Sequence, residues 1–256
     1  VTPRTVAQPD GVAWPTGGWT TQPSGLNPAV RALADRAFDD PRIAETRTVL
    51  IVQHGAIVYE RYQGSLPSFT GDGDVITADT TQISWSMAKS MTHFLTGVLI
   101  DQGALSLDEP VRLPEWARDE RHNITLRHLL SMRDGLDFVE DYKPEHPSDV
   151  IAMLFGDGKD DVAGYTIARP LAHPPGSVWN YSSGTTNIIC RLLADVVGRG
   201  PAFHEFMNRE LFDPLGMRSA IPKFDARGTF IGSSYVYATA RDFAKFGYLY
   251  LRGGEW

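Results

Sequence analysis

Ser84-Trp85-Ser86-Met87-Ala88-Lys89-Ser90 opens a helical pattern in which Met87, Met91, Phe94, Leu95, Val98 and Leu99 form one apolar stripe. Gly103 closes that pattern in the usual position just past a helix end. Side chains three residues apart share a helix face, so Ser86 Oγ and Lys89 Nζ can meet. With His93 and Thr96 they make a polar stripe expected to face a cleft. Ser86 also falls at the helix N-terminus, where free N–H groups and the macrodipole favour developing negative charge. A serine hydroxyl is a weak nucleophile until a neighbouring base takes its proton, and a lysine kept neutral by burial can do so. The tetrapeptide alone is unspecific. A chain of this length holds roughly one Ser-x-x-Lys by chance, and a capping serine followed by a solvated lysine is the better account of it taken by itself.

Upstream of this stretch the hydrophobic period changes. Val49, Ile51 and Gln53 alternate with Leu50 and Val52, His54-Gly55 breaks the run, and Ile57, Tyr59 and Arg61 resume it. This predicts a β-hairpin over Val49–Tyr62. Before it, Asn27-Pro28 reads as an N-cap and first helical residue for a helix carrying Val30, Leu33, Ala34 and Phe38. Residues 1–26 read as an irregular arm and residues 64–79 as a polar, Gly-rich loop. Downstream the pattern is mainly helical, with helices expected over 125–132, 148–155, 186–197 and 203–211. Thr239-Ala240-Arg241-Asp242 reads as a capping box opening a last helix that runs to about Leu251.

The chain has 256 residues, enough to bury a real core, and 42% of them are hydrophobic against 21% charged. Its 24 Lys and Arg against 31 Asp and Glu give a net charge of −7. An acidic balance argues against nucleic-acid binding, which needs a basic face. No apolar run reaches the length of a membrane span. The single cysteine, Cys190, excludes an internal disulfide framework and any Cys-cluster metal site. His204-Glu205 begins like a zinc-protease motif, but Asn208 stands where the second His belongs. Neither Asp72-Gly73-Asp74 nor residues 157–161 has the ligand pattern of a calcium loop. No metal or cofactor is expected. No Gly-x-Ser-x-Gly occurs, so an α/β-hydrolase elbow is not supported.

A second candidate lies in Trp179-Asn180-Tyr181-Ser182-Ser183-Gly184, directly before an apolar helix. A tyrosine at a helix entrance can project into a cleft and relay protons, although a loop-anchoring tyrosine with a capping serine explains the segment as well. The order of segments raises the specificity. After the hairpin and Ser86-Met87-Ala88-Lys89 come GALSLDEPV (103–111), ITLRHLLSMRDGL (124–136), PPGSVWNYSSG (174–184), LFDPLGM (211–217) and YATARDFAKFG (237–247). This series closely resembles the serine β-lactamase and penicillin-binding-protein-like superfamily, in its class C-like esterase and 6-aminohexanoate-dimer hydrolase branch, over about residues 47–256. That family pairs Ser-x-x-Lys with Tyr-x-Asn or Tyr-x-Ser and a later strand motif.

The resemblance implies that Ser86 is the acyl-forming nucleophile, Lys89 its base or proton relay, and Tyr181 the shuttle to the leaving group. The Ser86 N–H is implied as an oxyanion-hole donor. Which of Lys89 and Tyr181 takes the proton first stays open, because in this reading the two would titrate as a coupled pair. Ser183 stands where penicillin-interacting members have Asn, which weakens the case for β-lactam turnover. Tyr142, in Glu140-Asp141-Tyr142, matches a pocket tyrosine of the amide-hydrolysing branch, and Tyr237 is a further candidate for the same cleft; for both, an ordinary structural tyrosine is an equal alternative. The third motif is missing: Lys245-Phe246-Gly247 falls inside the last helix and is rejected.

The implied fold is α/β plus all-α and β-lactamase-like, an antiparallel sheet flanked by helices with a helical domain, lacking its C-terminal strands. Residues 1–81 are expected to form an arm and α/β part, 82–215 a mainly helical domain, and 216–256 an incomplete return to the α/β part, with the cleft between the two regions. Residues 1–256 are expected to be the first part of a longer polypeptide, since a two-stranded hairpin without neighbouring strands would leave exposed edges. The expected activity is a serine hydrolase forming an acyl-enzyme with a small ester or linear amide. β-Lactamase or D,D-peptidase activity is the alternative among enzymes, and a non-catalytic sensor or binding module the alternative of another class. A small-molecule substrate is the expected partner, and the oligomeric state stays open. So does the compartment, bacterial cytoplasm or periplasm, since the opening residues show no signal peptide.

Overall fold

The computed structural model describes residues 6–43, 45–67, 73–143 and 145–256. Asp72 and the first residues of the expected arm lie outside the described residues. Strand β1 (Thr20–Thr21) precedes α1 (Pro28–Asp39), β2 (Thr48–Gln53), β3 (Ala56–Tyr62) and β4 (Gln82–Ile83). Helices α2 (Ala88–Asp101), α3 (Leu126–Leu130), α4 (Asp149–Phe155), α5 (Val162–Ile167), α6 (Ser183–Val197), α7 (Pro201–Met207) and α8 (Asp213–Leu215) follow. The chain ends through β5 (Ile221–Pro222), β6 (Val236–Ala238) and α9 (Ala240–Leu251).

These elements divide into two compact units. The first holds the described residues up to Gln82 together with Phe212–Ala220 and Tyr237–Trp256; the second holds Ile83–Leu211 and Ile221–Val236. The segment Ile221–Val236 therefore belongs with the helical part, where the sequence pattern groups it with residues 216–256.

In the first unit, β2 and β3 pair antiparallel around a two-residue turn in which His54 (φ 50°) and Gly55 (φ 80°) both take the left-handed conformation that such a turn requires. The register shifts between Ile51 and Val52, a bulge in the hairpin. The sheet is mixed and not purely antiparallel, because Thr20–Thr21 adds to the free edge of β3 in parallel register. Two polar residues carry no alternating pattern, so the sequence shows no sign of this strand. Asn27 caps α1 by accepting from the Ala29 N–H at 2.8 Å, and Ala34 of α1 and Leu26 before it are buried with Val58 and Tyr59. In α9, Thr239 caps by accepting from the Asp242 N–H, but the expected capping box is only half made: the Asp242 carboxylate turns to Ser219 and Lys245 instead.

The second unit is organised on α6. Its residues Ile188, Ile189, Cys190, Leu193 and Ala194 are all buried, and it packs against α2, α3 and α5. Burying each large aliphatic side chain contributes roughly 1.5–3 kcal/mol. Helix α6 starts at Ser183, before the expected Thr186, because Ser182 is the cap, accepting from the Thr185 N–H at 2.9 Å. Gly184 lets α5 approach closely, since a Cβ there would meet Thr166 Oγ1 at 2.3 Å and Phe138 Cε2 at 2.6 Å. Phe138, Val150, Met153, Val162 and Ile231 complete a second cluster beneath α4 and α5. Among the described residues no helix is long and apolar enough to cross a membrane.

Candidate active site

Ser86 is held out at the head of α2 by a strained clamp. Buried Ser84 donates its N–H to the Val236 carbonyl at 2.8 Å, and its Oγ accepts from the Val236 N–H at 3.1 Å and lies 3.0 Å from the Ser234 carbonyl. The next residue, Trp85, is forced to φ 44°, a conformation costly for a bulky side chain. A 3₁₀ turn over Trp85–Met87 then leads into α2, leaving Ser86 exposed and Lys89 one turn on.

Lys89 Nζ reaches Ser86 Oγ at 3.1 Å, Ser183 Oγ at 3.0 Å and the Ser233 carbonyl at 2.9 Å. Tyr181 OH lies 2.8 Å from the same Ser86 Oγ, and Lys89 Nζ stands 5.0 Å from the Tyr181 ring centre. Tyr181 is fixed by its neighbours. Asn180 donates its N–H to the Met132 carbonyl and its side-chain amide to the Phe138 carbonyl, both at 2.9 Å, and Ser182 is the buried cap of α6. Ser86, Lys89 and Tyr181 are thus brought into one hydrogen-bonded group.

Two partners of Lys89 fix its chemistry. The Ser233 carbonyl can only accept. Ser183 Oγ spends its own proton on Glu140 Oε1, 2.9 Å away, so it too accepts from the lysine. Two N–H groups of Lys89 are therefore committed, and the remaining position on Nζ faces Ser86 Oγ. Glu140 also accepts from the Ser183 N–H at 2.6 Å and from Tyr142 OH at 2.7 Å. Partial desolvation of its hydroxyl and the adjacent Glu140 carboxylate push the Tyr142 phenol up from its ordinary value, so it stays protonated as a donor.

Ser183, expected at the substrate pocket, is 2% exposed, and its Oγ accepts from Lys89 Nζ at 3.0 Å. Tyr142 does line a cleft with Ser86, of about 440 Å³. Tyr237 lies in β6 and belongs to the first unit, whereas Ser86, Lys89, Tyr142, Tyr181 and Ser183 all belong to the second. The polar stripe expected on α2 holds only for its first turn, where Ser86 lines the cleft and Lys89 reaches Ser86. His93 is exposed, while Thr96 is buried and donates back to the Thr92 carbonyl at 2.7 Å. Met87 is 46% exposed, outside the apolar stripe. Glu140 and Ser233 carry no sequence signal of their own, because what each contributes depends on residues about forty or more positions away.

The model of the Beta-lactamase family matches residues 35–255, and the chain belongs to that family. It is 26% identical over 242 residues to a 6-aminohexanoate-dimer hydrolase of Paenarthrobacter ureafaciens, covering 89% of this chain and 58% of that protein's length. Among solved structures, a candidate 6-aminohexanoate-dimer hydrolase from Bacillus anthracis superposes with a TM-score of 0.71 at 21% identity, over 98% of this chain and 67% of its own. A beta-lactamase/D-alanine carboxypeptidase from Pseudomonas syringae gives 0.60 at 18% identity, over 85% and 63% respectively. These likenesses establish a β-lactamase-like fold.

Proposed function

We propose that this chain carries the acylating site of a serine hydrolase for a small ester or linear amide. The supporting observation is Ser86 Oγ held between Tyr181 OH at 2.8 Å and Lys89 Nζ at 3.1 Å. In this reading Ser86 Oγ adds to the substrate carbonyl while its proton passes to the Lys89–Tyr181 pair. The Ser86 N–H stabilises the oxyanion. Collapse expels the alcohol or amine, which takes the proton from Tyr181. Water then adds to the acyl-enzyme, gives a proton to the same pair, and releases the acid with the Ser86 hydroxyl restored. The Paenarthrobacter relative is named for cleavage of an amino-acid dimer, joined through an amide, which favours linear amides beside esters. For β-lactams the support is weaker, since Ser183 Oγ is committed to Lys89 and Glu140.

The test is labelling by a fluorophosphonate together with turnover of a chromogenic ester, for the unaltered chain and for Ser86→Ala. Labelling and repeated turnover lost in Ser86→Ala are expected. Equal turnover by the two proteins removes Ser86 as nucleophile, and stoichiometric acylation without release favours a binding or sensor module. Alanine suits the helix entrance, so lost activity does not reflect unfolding.

A further inference from the structure

The cleft beside Ser86 is walled mainly by apolar side chains. Its walls are Trp85, Tyr142 and four residues of one helix face, Val150, Ile151, Leu154 and Phe155 of α4. None of these bears a charge, and each polar group among them already has a hydrogen-bond partner. Tyr142 OH donates to Glu140 at 2.7 Å. Ser234, also on the wall, has its Oγ 3.0 Å from Ser233 Oγ. Ser86 Oγ is taken by Lys89 and Tyr181. No side chain lining this cleft offers a charged group an ion partner, whereas methylene groups laid against it would displace water from an apolar wall.

The cleft also has a direction. A departing alcohol or amine must lie within hydrogen-bond reach of the group that protonates it, and Tyr181 does not line this cleft. A leaving group turned toward Tyr181 would leave the cleft to the other side of the scissile bond.

Resting on the serine-hydrolase reading, we infer that the preferred substrates carry an uncharged aliphatic acyl chain of medium length, seated against α4. A chain ending in an ammonium, as in a 6-aminohexanoyl group, is disfavoured at this position. The volume, about 440 Å³, lies within the usual range for small-molecule sites.

The experiment has two arms. In the first, p-nitrophenyl esters from acetyl to decanoyl are compared with the 6-aminohexanoyl ester, a near-isostere of the heptanoyl one. kcat/KM should rise by up to about fourfold per added methylene until the cleft is full. The 6-aminohexanoyl ester should fall at least ~30-fold below the heptanoyl ester. Leu154→Asp should narrow or reverse that ratio. Ser86-dependent turnover with a flat chain-length profile, or with preference for the ammonium chain, overturns the inference and leaves the hydrolase reading intact. The second arm measures binding of heptanamide and 6-aminohexanamide to Ser86→Ala by tryptophan fluorescence, using Trp85 as reporter, and so does not depend on turnover. Tighter binding of heptanamide supports the inference even if no ester is hydrolysed. Equal binding, or preference for the ammonium, sinks it.

Discussion

Replacing Glu140 by Gln tests whether the lysine is positioned from below. The carboxylate accepts three hydrogen bonds, from the Ser183 N–H, Ser183 Oγ and Tyr142 OH. A glutamine offers one acceptor oxygen and one NH₂ group, so in either orientation a donor meets a donor. With the NH₂ toward Ser183 Oγ, the hydroxyl must accept from Gln and turn its own proton toward Lys89, where it opposes an N–H. With the NH₂ toward the backbone, the first N–H of α6 loses its acceptor. Each arrangement forfeits one charge-assisted hydrogen bond in a part-buried place, roughly 1.5–3 kcal/mol. If that loss falls on the reacting geometry, kcat for a chromogenic ester drops about 10- to 150-fold while KM moves by less than about threefold. Adding Glu140→Gln to Ser183→Ala should then cost little more, because Glu140 reaches Lys89 through Ser183. Additive losses in that double-mutant cycle would refute the relay. So would an unchanged kcat accompanied only by a lower melting temperature.

Three further predictions follow from the same geometry. Gly232→Ala places a Cβ 2.3 Å from Thr92 Oγ1 and 2.5 Å from Cys190 Sγ, one residue before the carbonyl that holds Lys89; it should lower the melting temperature by several degrees and reduce kcat, as thermal unfolding and steady-state kinetics would show. Burial pushes the Cys190 thiol up to about 12, so Ellman's reagent at pH 8 should leave it unmodified until denaturant is added. Glu60 is hydrogen-bonded by Arg241, which holds its carboxyl below the ordinary value. A lowered folded-state value means stability present above the unfolded value near 4.3 and lost as pH falls through the folded one. Arg241→Gln should therefore cost about 1 kcal/mol or less at neutral pH, given partial exposure, and the difference in melting temperature should shrink below about pH 4.

What the sequence discloses here follows the range of each interaction. Asn27, Thr125 and Thr239 cap their helices by bonds to residues two or three positions on, and local bonds of this kind are written in short strings. Ser86 and Lys89 are likewise neighbours on one helical turn, and their meeting needs only helical spacing. Tyr181 was legible only through the order of motifs, since its hydroxyl reaches Ser86 across 95 positions. Glu140 and Ser233 were illegible because a single acid or carbonyl acquires meaning only when tertiary packing brings the lysine to it. The α2 stripe failed for a related reason: Met87 lies in a 3₁₀ turn, off the α-helical phase, and Thr96 satisfies its hydroxyl on its own backbone and so tolerates burial.

The first unit is assembled from three separated stretches of chain, with β2 against α9 and the Trp14 ring 5.2 Å from that of Trp256. Such pairings span about two hundred residues or more, so their loop-closure entropy must be met before any of them contributes. The second unit needs nothing beyond Val236. During synthesis the helical unit, with Ser86, Lys89 and Tyr181, can form while the hairpin still waits for its last helix. The hairpin, emerging first, would be among the last parts to reach its final surroundings, and that waiting period is when its unpaired strand edges are open to intermolecular pairing.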